Sequence, residues 1–156
     1  EERSLLNPCF CAMVLWHAAF AFRRGTDRRM SLEESFLVLP IVLHQATREA
    51  LPRTVRTSLA VWIQENPLIR GSIADRANAL VSYTREALLF AGLRGLLSFS
   101  GGTIDANADH EGAISLVVTE ASDEVISCAK RAAFIGRWFD RTGGPTTVLA
   151  LLGVRP

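Results

Sequence analysis

The sequence predicts a mainly α-helical chain with one small β-hairpin, folded as a single domain over residues 1–156. Three observations predict it. Apolar side chains recur at three- and four-residue steps along most of the chain, the helical period. Two short runs flank a Gly101–Gly102 pair between Leu96 and Asp105, the pattern of a tight hairpin. The length of 156 residues, with no linker or low-complexity stretch, suits one core that buries about two thirds of the unfolded surface.

The elements follow in order. From Asn7 to Arg24, the residues Phe10, Met13, Val14, His17, Phe20 and Ala21 share a helical stripe, which Trp16 and Ala18 widen until little polar face remains. A helix this apolar is expected to be central, or pressed against another subunit. Gly25, Thr26, Asp27, Arg28 and Arg29 read as a polar loop, after which Ser31 caps a short helix through Glu33 and Glu34. The run Phe36 to Leu43 is split by Pro40, so one helix should stop there and another begin with Pro40 in its first turn, running to about Leu51. Thr54 or Thr57 is the expected cap of a helix bearing Leu59, Val61, Trp62 and Ile63, stopped by Asn66 and Pro67.

Gly71 to Leu93 reads as one amphipathic helix, with Ile73, Ala77, Leu80, Val81, Thr84, Leu88 and Ala91 inward and Asp75, Arg76, Arg85 and Glu86 outward. The hairpin follows. Ile114 to Val118, apolar and β-branched, is expected to pair with it as a third strand. Ser122 or Asp123 caps a last long helix that buries Val125, Cys128, Ala129, Ala132, Ile135, Trp138 and Phe139. Gly143, Gly144 and Pro145 break it, and Thr146 to Leu152 forms a final short turn of helix. The pentapeptide TREAL occurs at Thr47–Leu51 and Thr84–Leu88, but the flanks do not align, which excludes a solenoid array.

Composition narrows the function classes. A net charge of +1 gives no global field toward nucleic acid or anionic lipid. An apolar content of 49% and a mean hydropathy of +0.20 exceed what a small monomer readily covers, so part of that surplus is expected to meet a partner. Lys130 is the one lysine among 17 basic residues, a bias that suits forked contacts to carboxylate or phosphate and that a GC-rich genome also produces. Cys9, Cys11 and Cys128 show no CxxC spacing, and Cys9 and Cys11 would point about 200° apart on a helix, so all three are expected to be buried, inert thiols. The longest apolar stretch, Cys9 to Phe22, is too short to cross a bilayer and holds His17. No basic segment followed by a small-residue cleavage site opens the sequence, and a cytoplasmic location is expected.

The search for chemistry predicts no enzyme, with no catalytic, cofactor-binding or metal-ligating residues. The Ser100–Thr103 turn lacks the ending of a nucleotide-phosphate loop, and no GxSxG elbow is present. His17 is expected to be a satisfied core residue. His44 and Glu49 point about 140° apart on a helix and cannot share a metal. His110 with Asp105 and Asp109 reads as a solvated turn rather than an acid/base cluster. The pairs Glu1–Glu2, Glu33–Glu34 and Asp123–Glu124 lie at chain or helix starts, where capping explains them. A helix with Arg76, Tyr83 and Arg85 followed by a hairpin is the order in which winged-helix proteins place a groove helix and a wing. Arg76, Arg85 and Arg94 are therefore the candidate nucleic-acid contacts, opposed by Asp75 and Glu86 on the same surface.

Four segments carry a family resemblance: LLNPCFCAMVLWHA from Leu5, LPIVLHQATREALPRTVRTSLAVWIQENP from Leu39, YTREALLFAGLRGLLS from Tyr83, and IGRWFDRTGGPTTVLALLGVRP from Ile135. Together they resemble the middle component of bacterial three-component ABC-ATPase systems. The resemblance spans nearly the whole chain and departs from the family pattern mainly in the less regular loop from Thr103 to Gly112. It implies a small winged-helix-like adaptor with no catalytic residues and no cofactor. Its implied partners are an SMC-like or repair-like ABC ATPase and a larger third component of the same operon, in an anti-phage defence module.

On that reading the candidate partner interface is Phe10, Trp16, Phe20, Phe36, Leu39 and Trp62, and self-association is possible in principle for so apolar a surface. The alternative is a winged-helix DNA-binding protein or transcriptional regulator. An enzyme is a distant third.

Overall fold

The structure is a computed structural model that describes residues 6–25 and 27–155. Glu1, Glu2, Arg3 and Thr26, to which the acidic start and part of the polar loop were assigned, lie outside the described residues. Among those described, α1 spans Pro8–Gly25, β1 Met30–Ser31, α2 Leu32–Ser35, α3 Val38–Val42, α4 Gln45–Ala50 and α5 Leu59–Glu65. Then come α6 at Pro67–Ala79, α7 at Val81–Leu93, β2 at Leu97–Ser100, β3 at Thr103–Ala106, α8 at Glu111–Thr119, α9 at Asp123–Thr142 and α10 at Pro145–Leu152. The fold is mainly helical with a small three-stranded antiparallel sheet, ordered β1-β3-β2.

The apolar first helix is central. Asn7 starts it by accepting the Cys9 amide at 2.8 Å, and Cys11, Ala12, Val14, Leu15, Ala18 and Phe22 are then fully buried. Its longest neighbour is α9, held close by small residues. A Cβ built on Gly136 would stand 2.1 Å from the Ala18 carbonyl oxygen, so only glycine permits this approach. The other flanks of α1 meet α7 and β3.

The hairpin forms as read. Gly101 and Gly102 both take positive φ, 57° and 75°, as a two-residue turn between right-twisted strands requires. Phe99 is registered with Ile104 and Ser100 with Thr103. The third strand is not where it was expected. Ile114–Val118 lies within helix α8, and Met30–Ser31 pairs with Ile104–Thr103 instead. A five-residue apolar run does not distinguish strand from helix by period, and in α8 Ile114 and Val118 fall four apart on the inward side.

Other boundaries also differ. Ser31 and Glu34 make the expected reciprocal cap of α2, but the helix containing Pro40 ends at Val42, with Leu43 as its cap. His44 turns extended there, and its ring Nδ1 accepts the Thr47 amide to start α4 afresh. The cap of α5 is Ser58, whose hydroxyl accepts the Val61 amide, and not Thr54 or Thr57. Pro67 ends one helix and begins the next, because a proline at the first helical position loses no hydrogen bond. The expected Gly71–Leu93 helix is therefore two, α6 and α7, joined at Leu80, where ψ rises to 8°.

Cys9 is exposed, contrary to expectation. Cys11 and Cys128 are buried, and burial pushes the Cys11 thiol up to about 12 and raises that of Cys128.

Candidate partner interface

The six interface candidates divide into two groups. Trp16 at 2%, Leu39 at 0% and Trp62 at 3% exposure belong to the core, and the folded chain does not present them. Their polar atoms are satisfied inside: Trp16 Nε1 donates to the Asn107 carbonyl at 3.1 Å, and Trp62 Nε1 to the Ala50 carbonyl at 2.9 Å. Trp62 also meets Trp138 edge-on at 5.5 Å. Phe10, Phe20 and Phe36 are half-buried and reach the surface. Sequence periodicity cannot separate these groups, because an apolar stripe looks the same whether its neighbour is the same chain or another.

Phe36 stands in a formed cleft. The capping box fixes α2 so that Leu32 and Glu33 face outward, next to Phe36. Ala77, Asn78 and Val81 at the α6–α7 junction form a second wall. The third wall is Leu149, Val154 and Arg155, brought round by the left-handed Gly153, φ 71°, that ends α10. The space is about 240 Å³, apolar inside, with Glu33 and Arg155 charged at its rim. Arg70 steadies the α10 end by donating to the Leu151 carbonyl at 2.6 Å.

Two further apolar surfaces stand uncovered. On α7, Leu89 is 68% and Leu93 87% exposed, and the hairpin adds Phe99 at 48%. Phe99 lies over Gly92, where any Cβ would come within 2.8 Å of its ring. On α8, the adjacent Leu116 and Val117 face outward. None of these five was singled out from the sequence, since a pair of leucines on a half-exposed helix carries no distinctive pattern. The cleft touches Val81 at one end of α7 and the hairpin patch covers Leu93 at the other, roughly 18 Å apart at 1.5 Å per residue.

The charged candidates also separate. Arg76 is committed within the fold: Nε donates to the Pro40 carbonyl at 2.9 Å, Nη2 to Thr47 Oγ1 at 2.8 Å, and Nη1 to Ser72 Oγ. Burial lowers its pKa from the ordinary guanidinium value. It ties α6 to α3 and α4, so the guanidinium expected to contact phosphate is already engaged within the fold. Arg85 and Arg94 remain at the surface, with Arg94 stacked on Phe90 at 5.3 Å. Asp105 faces Arg23 and Arg29, at 3.8 Å from the latter, and does not join His110 in a cluster.

His17 departs from its expected satisfied state. Its Nε2 is buried with no hydrogen-bond partner, and burial pushes the imidazole down from 6.5 to about 4. The unfolded chain therefore takes up this proton first as pH falls, and the folded state excludes it. Stability from this group is complete above pH 6.5 and lost between 6.5 and about 4, by as much as about 3 kcal/mol. Urea midpoints measured across that window should fall for the wild type and stay flatter for His17→Leu; equal slopes would contradict the assignment.

No helix among the described residues is long and apolar enough to cross a membrane, and no group of three or more His, Cys, Asp or Glu among them is placed to hold a metal ion. One family matches the chain, described as ABC-three component (ABC-3C) system Middle Component 3, over residues 1–156. No curated protein and no solved structure gives a significant match.

Proposed function

The chain belongs to the ABC-three component system Middle Component 3 family, and we propose that it is the non-catalytic connector of such a system, joining an SMC-like or repair-like ABC ATPase to a larger third component. The setting proposed is anti-phage defence in the bacterial cytoplasm. One observation carries the connector reading: the folded chain leaves apolar surface uncovered in separate places, the Phe36 cleft and the Leu116–Val117 pair among them. A small protein that met a single partner would need one such surface.

A winged-helix-like description of the fold belongs to the same proposal. Its support is the chain order: a first helix, a short strand, further helices and then a hairpin, with β1 laid against β3. A wing in that position can meet protein as readily as nucleic acid. With Arg76 engaged in three internal hydrogen bonds, the helical residues before the wing offer fewer free cations than the regulator reading requires.

Co-expression with the ATPase and third component encoded alongside tests the proposal. The three should co-purify, and Phe36→Asp should weaken the complex at least about tenfold by placing a charge in an apolar cleft. Because Phe36 is half-buried, Leu32→Asp on the exposed rim serves beside it, with the urea midpoint measured for both. A complex that tolerates both variants removes the cleft from the interface, and failure of the wild-type chain to join either component removes the connector role.

A further inference from the structure

We propose that the outward face of α9, with the end of α1 beside it, binds the phosphate backbone of double-stranded DNA without regard to sequence. The net charge of +1 conceals this surface, because acids and bases are unevenly spread over the fold. Beyond the first turn of α9, its exposed residues are Lys130, Arg137 and Arg141, every one a cation. At 100° a residue the three fall within about 40° of arc, and they span roughly 16 Å of the helix. None has a carboxylate within ion-pair distance among the described residues.

The neighbouring helix adds a fourth cation. The two run side by side in the same direction: Ala18 meets Gly136, and Arg28, beyond the end of α1, donates to the Gly143 carbonyl beyond the end of α9 at 2.6 Å. His17 shares a cleft with Lys130 and Ala133, and exposed Arg24 stands two turns past His17 on the same side of α1. Arg24 lies over the Phe20 ring at 5.0 Å, a stacking contact that leaves its donors unused. Complementing the helix dipole does not account for the row, since Lys130 and Arg137 lie outside the last turn of α9. Two carboxylates border it. Asp140 is half-buried and close to Glu34 of α2, and Glu111 of α8 lies beside Trp16 and Phe20, so an excess of cations remains.

The make-up of the face selects the occupant. No large apolar side chain is exposed on α1 or α9 among the described residues. A protein partner is met through an apolar, lysine-poor centre, whereas a nucleic acid is met through a polar and strongly positive face. Each strand of a duplex offers a phosphate about every 3.4 Å of axis, so a strand laid along the row passes about five phosphates for the four cations. Neither helix carries an asparagine or glutamine to read an adenine edge, which suits contacts to phosphate alone.

Fluorescence anisotropy of the purified full chain with a labelled duplex of about 30 base pairs, over a salt series rising from ~50 mM, tests this without any partner. The logarithm of the affinity should fall with that of the salt concentration at a slope of about −3.6, or about 0.9 for each of four phosphates. R137Q/R141Q should weaken binding at least about tenfold at ~50 mM salt and flatten the slope by about 1.8. Both side chains are exposed, so circular dichroism and the urea midpoint should not change. R137K/R141K, which keeps the charge, should bind nearly as the wild type does, and so should R85Q/R94Q, at the arginines that precede the hairpin. A wild type that binds no duplex at ~50 mM salt overturns the proposal, as does a slope unchanged in R137Q/R141Q or an equal loss in R85Q/R94Q. Loss of a co-expressed partner by R137Q/R141Q, with the wild type binding no duplex, would assign the row to an acidic protein surface instead.

Discussion

Replacing Gly136 with alanine is expected to destabilise the domain by about 3 kcal/mol or more, at the upper end of what overpacking costs. The added methyl would sit 2.1 Å from the Ala18 carbonyl oxygen and 3.0 Å from the Phe22 amide nitrogen. Both are backbone atoms of a buried helix and cannot rotate aside as a side chain would. Either the intended carbonyl position is lost or α1 and α9 separate, and separation opens the interface that buries Phe22, Ile135 and Phe139. Gly71 provides the control. It lies within α6 with nothing within 4 Å of its added Cβ, so alanine there should stabilise by up to about 1 kcal/mol through helix propensity alone. Chemical denaturation of both variants decides the matter: similar midpoints for Gly136→Ala and wild type would mean that the two helices do not cross this closely.

Trp62→Ala is the second large effect, with an expected loss of about 3–5 kcal/mol. The side chain is 3% exposed, packs edge-on against Trp138 and donates to the Ala50 carbonyl, which the truncation would orphan. Trp138 in turn donates to the Thr57 carbonyl at 2.7 Å, so the two indoles pin both ends of the segment leading into α5. As a partner contact, Trp62 would cost assembly and leave folding untouched. As a core residue it should lower the urea midpoint of the isolated chain, and an unchanged midpoint with lost assembly would return it to the interface.

Where the amino-acid pattern was legible, it was legible for local reasons. The Gly101–Gly102 turn, the Ser31–Glu34 cap and the Ser122 cap of α9 each rest on residues within a few positions of one another. The failures depend on distant partners. Met30–Ser31 becomes a strand because Ile104 is beside it, and two residues have no period to read. Leu80 breaks a helix without a proline or glycine to announce it. Arg76 reads as a free cation until its acceptors at Pro40 and Thr47 are brought in from another helix pair. Apolar content gave Phe36, which reaches the surface, the same weight as Trp16 and Trp62, which the core buries against neighbours far along the chain.

The central position of α1 has a consequence for biosynthesis. The ribosome releases this helix ahead of the elements that cover it: its chief cover, α9, begins only at Asp123, and β1 waits until residue 104 has emerged. Through most of translation Leu15, Trp16 and Phe22 have no native shelter, a condition in which nascent chains recruit chaperones or aggregate. Contacts that span so much of the polypeptide also slow the search for the native state. A copy truncated ahead of α9 is therefore expected to be insoluble rather than partly functional, and yield should be most sensitive to anything that stalls synthesis before α9 is made.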